Sequence, residues 1–173
     1  ASCTGTTAGA QYTINDFAFA QPNGLGGIPV PAGSTTVRLN FWHRWAFENG
    51  WDGGMLAISL DGSTYTMVPA SAILANAYNG TTLNGGGYPA WTNTQSTFVS
   101  TIVNLDAACV LAGAPSGCSG QNVRIGFAGY TDTSINANGW YLDDVTVTRD
   151  AVPACTAAPS AVRTSPRSPT GSW

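Results

Sequence analysis

One segment does more than any other to limit how this chain folds. Val37, Leu39, Phe41, His43, Trp45 and Phe47 occupy alternate positions, so an extended backbone puts all six on one face. A helix would scatter them around its axis. The same alternation returns in Leu56, Ile58 and Leu60, in Val99, Thr101, Val103 and Leu105, in Val123, Ile125 and Phe127, and in Tyr141, Asp143, Val145 and Val147. Gly, Asn and Asp clusters separate these runs, and Asp61 with Gly62 has the composition of a hairpin turn before a strand over 65–68. Residues 12–19 read as a further strand, followed by a Pro/Gly-rich loop over 21–33. Only 69–77 suits a short helix, with Ser71 as its cap. Many strands, glycine-rich turns and no βαβ rhythm predict an all-β fold: a two-sheet antiparallel β-sandwich of jelly-roll type.

Composition narrows the partners. Charged residues make up 9% of the 173 positions, against roughly 25% in an ordinary domain. There is no lysine, the net charge is −3, and two of the six cationic residues, Arg163 and Arg167, stand near the end. A surface of this kind does not neutralise phosphates, so neither nucleic acid nor an anionic membrane is expected as a partner. No apolar run approaches the roughly 20 residues that span a bilayer, and residues 1–9 lack the basic and apolar regions of a signal peptide. The chain reads as a processed segment with one folded domain over 1–155. Residues 156–173 form a Pro/Ser/Thr-rich stretch that reads as a disordered linker to something else.

Four cysteines permit three pairings. The nested one joins Cys109 to Cys118 across a short loop and Cys3 to Cys155 across the whole domain, which would remove considerable entropy from the unfolded chain. Zinc is the rival, but no CxxC spacing exists and His43 is the only histidine. Disulfides place the protein outside the reducing cytosol, as a secreted one.

Glu48, the only glutamate, stands four residues before Asp52 in a turn whose glycines let the backbone fold around a small ion. Oxygen donors in such a loop suit calcium. Asp143 shares the parity of Val145 and Val147, so the pattern that buries those valines directs a carboxylate inward, where it needs a counter-charge or several donors. Calcium would supply it; Arg44 or backbone amides are the alternative. The string from Asp132 to Asn138 spaces its oxygens like a calcium loop, but Ala137 stands where an EF-hand needs glycine, and it reads as a polar turn.

Catalysis finds little support. A Ser/His/Asp mechanism would have to use His43, which shares the parity of Phe41 and Trp45 and so reads as a packing residue. Glu48 with Asp52 or Asp143 could flank a glycosidic bond, but a metal-bound pair stays ionised and has no proton to give. The glycine run over 84–88 lacks the following helix of a phosphate loop.

Two segments carry a resemblance. The first is a strand ending in the Trp42, His43, Arg44 and Trp45 cluster, followed by Glu48, then Asp52-Gly53-Gly54, then a strand closed by Asp61 and Gly62. The second is Gly139-Trp140-Tyr141-Leu142-Asp143-Asp144-Val145. Over 35–148 the chain resembles the MAM-like, carbohydrate-binding-module-like jelly-roll accessory domains of secreted bacterial hydrolases, including extracellular peptidases. The resemblance implies a structural calcium where the last strand meets an acidic loop, held by Glu48, Asp52 and one or both of Asp143 and Asp144.

Aromatic residues supply the remaining expectation. Trp42 and Trp140 have the opposite parity to the core positions, and Trp51, Tyr78, Tyr88 and Trp91 fall in loop-like surroundings. Exposed flat rings stack on sugars while Asn, Asp and Arg bond the hydroxyls. The chain is therefore expected to be a non-catalytic module that targets a covalently linked hydrolase to a polysaccharide or glycan, these six rings forming its ligand surface. The alternative is a structural or protein-contacting module of a secreted peptidase without a sugar site. Asn79-Gly80-Thr81 matches a glycosylation sequon and reads as a turn.

Overall fold

The computed structural model describes residues 17–20, 26–82, 86–135 and 137–151. In chain order the strands are β1 (Phe17–Ala20), β2 (Ile28–Pro29), β3 (Ser34–Ala46), β4 (Gly53–Ser59), β5 (Thr66–Met67), β6 (Ile73–Ala75), β7 (Gly80–Thr82), β8 (Tyr88–Ala90), β9 (Thr94–Asn104), β10 (Asn122–Tyr130) and β11 (Gly139–Ala151). Among the described residues one α-helix, α1 (Leu105–Leu111), follows β9. One sheet runs β1-β10-β4-β5 with β2 also on β10, the other β11-β3-β9-β6, and β7 pairs β8 in a small hairpin. Every pairing is antiparallel. The chain passes between the two large sheets after β2, β3, β5, β9 and β10, the kind of crossing from which jelly rolls are built. The fold is the all-β antiparallel sandwich that the alternation requires.

The long strand behaves as its pattern dictates. Val37, Leu39, Phe41, His43 and Trp45 are buried along β3, while Trp42 faces out. Phe41 meets Phe127 of the opposite sheet edge-to-face at 5.1 Å, and Phe127 in turn meets Trp140 at 5.6 Å. Contacts of this geometry add about 0.5–1.5 kcal/mol each beyond the area they bury. β4 is buried on both faces: Leu56 and Ile58 join the main core, while Met55 packs with Ala90 and Ala128 in a smaller cluster. Its glycines are required by this packing, because a Cβ on Gly54 would lie 2.7 Å from the Trp140 indole.

Four expectations need correction. β11 carries a bulge between Asp143 and Thr146, with Asp144 in the left-handed region at φ 47°. The extra residue reverses the parity, so Trp140 and Leu142 point inward before it, and Val145 and Val147 pack against the core after it. Asp143 is consequently exposed, not buried. Leu105 does not continue a strand: the Asn104 side chain accepts a hydrogen bond from the Ala107 N–H and starts α1. Over 69–77 the structure has one 3-10 turn, Ala70–Ala72, with Pro69 rather than Ser71 at its N-cap position and no side-chain capping bond, and then β6. The β4–β5 connection is longer than a two-residue hairpin; the Asp61 carboxylate closes it by accepting from Ser63 N, Thr64 N and Ser59 Oγ. Those donors hold the Asp61 carboxyl below the usual carboxylate range.

The Cys109–Cys118 disulfide forms, tying α1 to the loop behind it. Asp106 supports the same corner, one oxygen accepting from Cys118 N and the other from Val37 N. The Cys3–Cys155 pairing, the beginning of the strand expected over 12–19 and the linker over 156–173 lie outside the described residues. Among the described residues no helix is long and apolar enough to cross a membrane.

Candidate metal centre and aromatic surface

Pairing of β4 with β10 brings two acids together. The last registered pair is Gly53 with Tyr130, so Asp52 and Asp132 stand just beyond the same end of the ladder. Asp132 N donates to Asp52 Oδ1 at 2.7 Å. Glu48 arrives through the turn after β3: its carbonyl accepts from Trp51 N and Asp52 N, a helical spacing that puts residues 48 and 52 on one side. Gly50, at φ 77°, completes that turn and donates to Thr92 Oγ1, whose hydroxyl donates back to Glu48 O. Thr92 is fixed by a reciprocal pair of bonds with the Asn79 carboxamide. The sequon asparagine is thus a brace for the acidic turn.

Glu48, Asp52 and Asp132 each offer a carboxylate oxygen within 4.8 Å of the other two. Asp52 is fully buried and the other two half-buried. Ser134 bridges the outer pair, its hydroxyl 3.1 Å from Glu48 Oε2 and 3.0 Å from Asp132 Oδ1. Three carboxylates drawn this close repel one another more strongly as water is excluded, and a divalent cation removes that repulsion. Two oxygens bound to one calcium ion at about 2.4 Å each are at most about 4.8 Å apart, and the three carboxylate oxygens lie within that limit of one another. An all-carboxylate donor set is hard, as calcium or magnesium requires and unlike the His/Cys sets of zinc. These residues can hold a metal ion.

The triad differs from the expected set. Glu48 and Asp52 are brought together, but Asp143 and Asp144 are exposed residues of the β11 bulge, where Asp144 N donates to Asp143 Oδ1. Asp132 takes their place. The spacing of residues 132–138 reads only as a polar turn, and strand register gives Asp132 its place: it lies two residues past Tyr130, where pairing with Gly53 makes it a neighbour of Asp52. Arg44, the alternative counter-charge, is held elsewhere, its guanidinium 4.2 Å from the Tyr141 ring centroid and 5.5 Å from that of Phe98.

The six aromatic candidates divide equally. Trp42, Trp51 and Tyr88 are exposed, at 45%, 42% and 50%. Trp91 and Trp140 are fully buried and leave the proposed surface. Tyr78 leaves it too: its hydroxyl accepts from Leu56 N and donates to Val68 O inside the sandwich, and burial pushes its ionisation above the usual tyrosine range. Trp91 sits where its loop crosses the sandwich, bridging to Gly54 by paired backbone bonds. A lone tryptophan between Ala90 and Thr92, outside any alternating run, carries no parity signal that would place it in the core.

His43 belongs to the interior. The Trp140 indole N–H, which can only donate, bonds Nδ1 at 3.0 Å, so the imidazole proton resides on Nε2 and is given to Thr101 Oγ1 at 2.8 Å. The Thr101 hydroxyl passes its own hydrogen to Asn76 O, which also receives the Trp91 indole N–H. Burial lowers the His43 pKa to about 3, and the ring is neutral. The sequence matches no protein-family model and no curated protein.

Proposed function

We propose that the chain is a non-catalytic extracellular module that binds a polysaccharide or glycan and holds an attached hydrolase to it, with calcium at Glu48, Asp52 and Asp132 fastening one end of the sandwich. The observation that carries the reading is the convergence of three carboxylates from two separate loops around a point that a single divalent ion would fill. Such an ion supplies charge neutralisation and rigidity there; it does no chemistry on a substrate. The commitment of both His43 nitrogens to buried partners supports a packing role for that residue rather than a catalytic one. The disulfide supports a location outside the reducing cytosol. The likeness of the Glu48 and Asp143 segments to MAM-like jelly-roll accessory domains points the same way, and the exposed Trp42 supplies a ring for a sugar to stack on.

The test is affinity gel electrophoresis across neutral and acidic polysaccharides, with sedimentation on insoluble ones. Retardation or pelleting by at least one polymer is the expected result. Migration unchanged in all of them would leave a second reading, a protein-contacting module of a secreted peptidase, which the burial of Tyr78, Trp91 and Trp140 favours by shrinking the aromatic surface.

A further inference from the structure

The outer face of the β11-β3-β9-β6 sheet carries an ordered array that strand register makes explicit. In one row Trp42 of β3 stands opposite Ser100 of β9 and Asp143 of β11. In the next, Arg44 stands opposite Tyr141, and Phe98 of β9 closes the row on the other side. Trp42 and Phe98 are each more than two-fifths exposed, and Asp143 is exposed beside the indole. A guanidinium stacked on ring faces keeps its in-plane N–H donors for other partners, so Arg44 is positioned without being consumed.

We infer that this face is the ligand platform, and that its occupant is a neutral polysaccharide lying across Trp42 with its hydroxyls bonded by Arg44 in the next row and by Asp143 on the neighbouring strand. The inference deepens the function proposed above and rests on it. An indole offers an apolar plane to the C–H face of a pyranose. Sugar hydroxyls both donate and accept, so they need a donor and an acceptor at the rim, and Arg44 with Asp143 supplies one of each. Charge selects the class: one cation and one anion flank the ring and the whole chain carries −3, so a polyanion meets a carboxylate here and repulsion from the rest of the molecule. Trp51 lies in the β3–β4 turn and Tyr88 on β8, away from this sheet.

The experiment compares the parent with Trp42→Ala, Asp143→Ala and, as a control, Leu111→Ala at the exposed end of α1, by affinity electrophoresis in hydroxyethyl cellulose, xylan and alginate, at low and high salt, with thermal melting of each variant. The expected result is retardation of the parent by a neutral polymer, insensitive to salt, lowered tenfold or more by Trp42→Ala and several-fold by Asp143→Ala, and unchanged by Leu111→Ala. Asp143→Ala removes an exposed carboxylate and its one bond from Asp144 N, and keeps the test decisive should Trp42→Ala melt early. If both face variants bind as the parent does, the platform is wrong while the binding function stands. Salt-sensitive binding to alginate alone overturns the neutral occupant. A parent retarded by none of the polymers overturns both the platform and the function beneath it.

Discussion

His43 shows how one side chain can tie acidity to stability. In the folded protein its pKa falls from the ordinary 6.5 to about 3 through burial. Between those values the unfolded chain binds a proton that the folded one refuses, so stability is complete above about pH 6.5 and falls with pH by up to about 1.4 kcal/mol per unit. Urea denaturation in chelator at pH 7, 6 and 5 should show the midpoint dropping steadily, in a window above the titration of ordinary carboxylates. A midpoint that stays level from pH 7 to 5 would mean that the imidazole is solvated. The inward side of His43 was legible because it shares alternate positions with Phe41 and Trp45. Its partners were not, since Trp140 reaches the ring only through a bulge that the sequence does not announce, and Trp91 through a loop.

Among the elements, β11 and α1 mark the limits of pattern reading. Alternation identified β11, but counting back from Val145 and Val147 across the bulge at Asp144 put Trp140 outside and Asp143 inside, the reverse of the structure. A period of two holds only while the ladder is regular. In α1 the alternation of Val103 and Leu105 ran through the Asn104 cap, whose side-chain bond redirects the backbone. Two outcomes follow at this scale. Gly54→Ala should cost about 1–3 kcal/mol in denaturation measurements, because the indole of Trp140 is locked by its bond to His43 and has no room to retreat. A cost under a few tenths of a kcal/mol would show that Trp140 is not so confined. Replacing Cys109 and Cys118 together by alanine should cost about 2–3 kcal/mol, the loop entropy of a ten-residue closure. Equal midpoints for the variant and the oxidised parent would show that the helix corner is held by Asp106 alone.

At the level of the whole molecule, two sheets are joined by a shared aromatic core, and the end of the β4–β10 ladder gathers three acids. The sandwich and its long strand could be read from residue order; the triad could not, because Asp132 approaches Asp52 only through a pairing of strands some seventy residues apart. The most direct test is thermal melting of the parent and of Asp132→Asn, each in calcium and in chelator. A cation held only by the folded state at a hundredfold excess over its dissociation constant adds about 2.7 kcal/mol, or roughly 5–10 °C for a chain of this size. The parent should gain that much in calcium, and Asp132→Asn little. In chelator the variant should melt at or above the parent, since one mutually repelling charge is gone. A parent whose melting temperature ignores calcium, or a variant that responds to it equally, would contradict a cation among Glu48, Asp52 and Asp132.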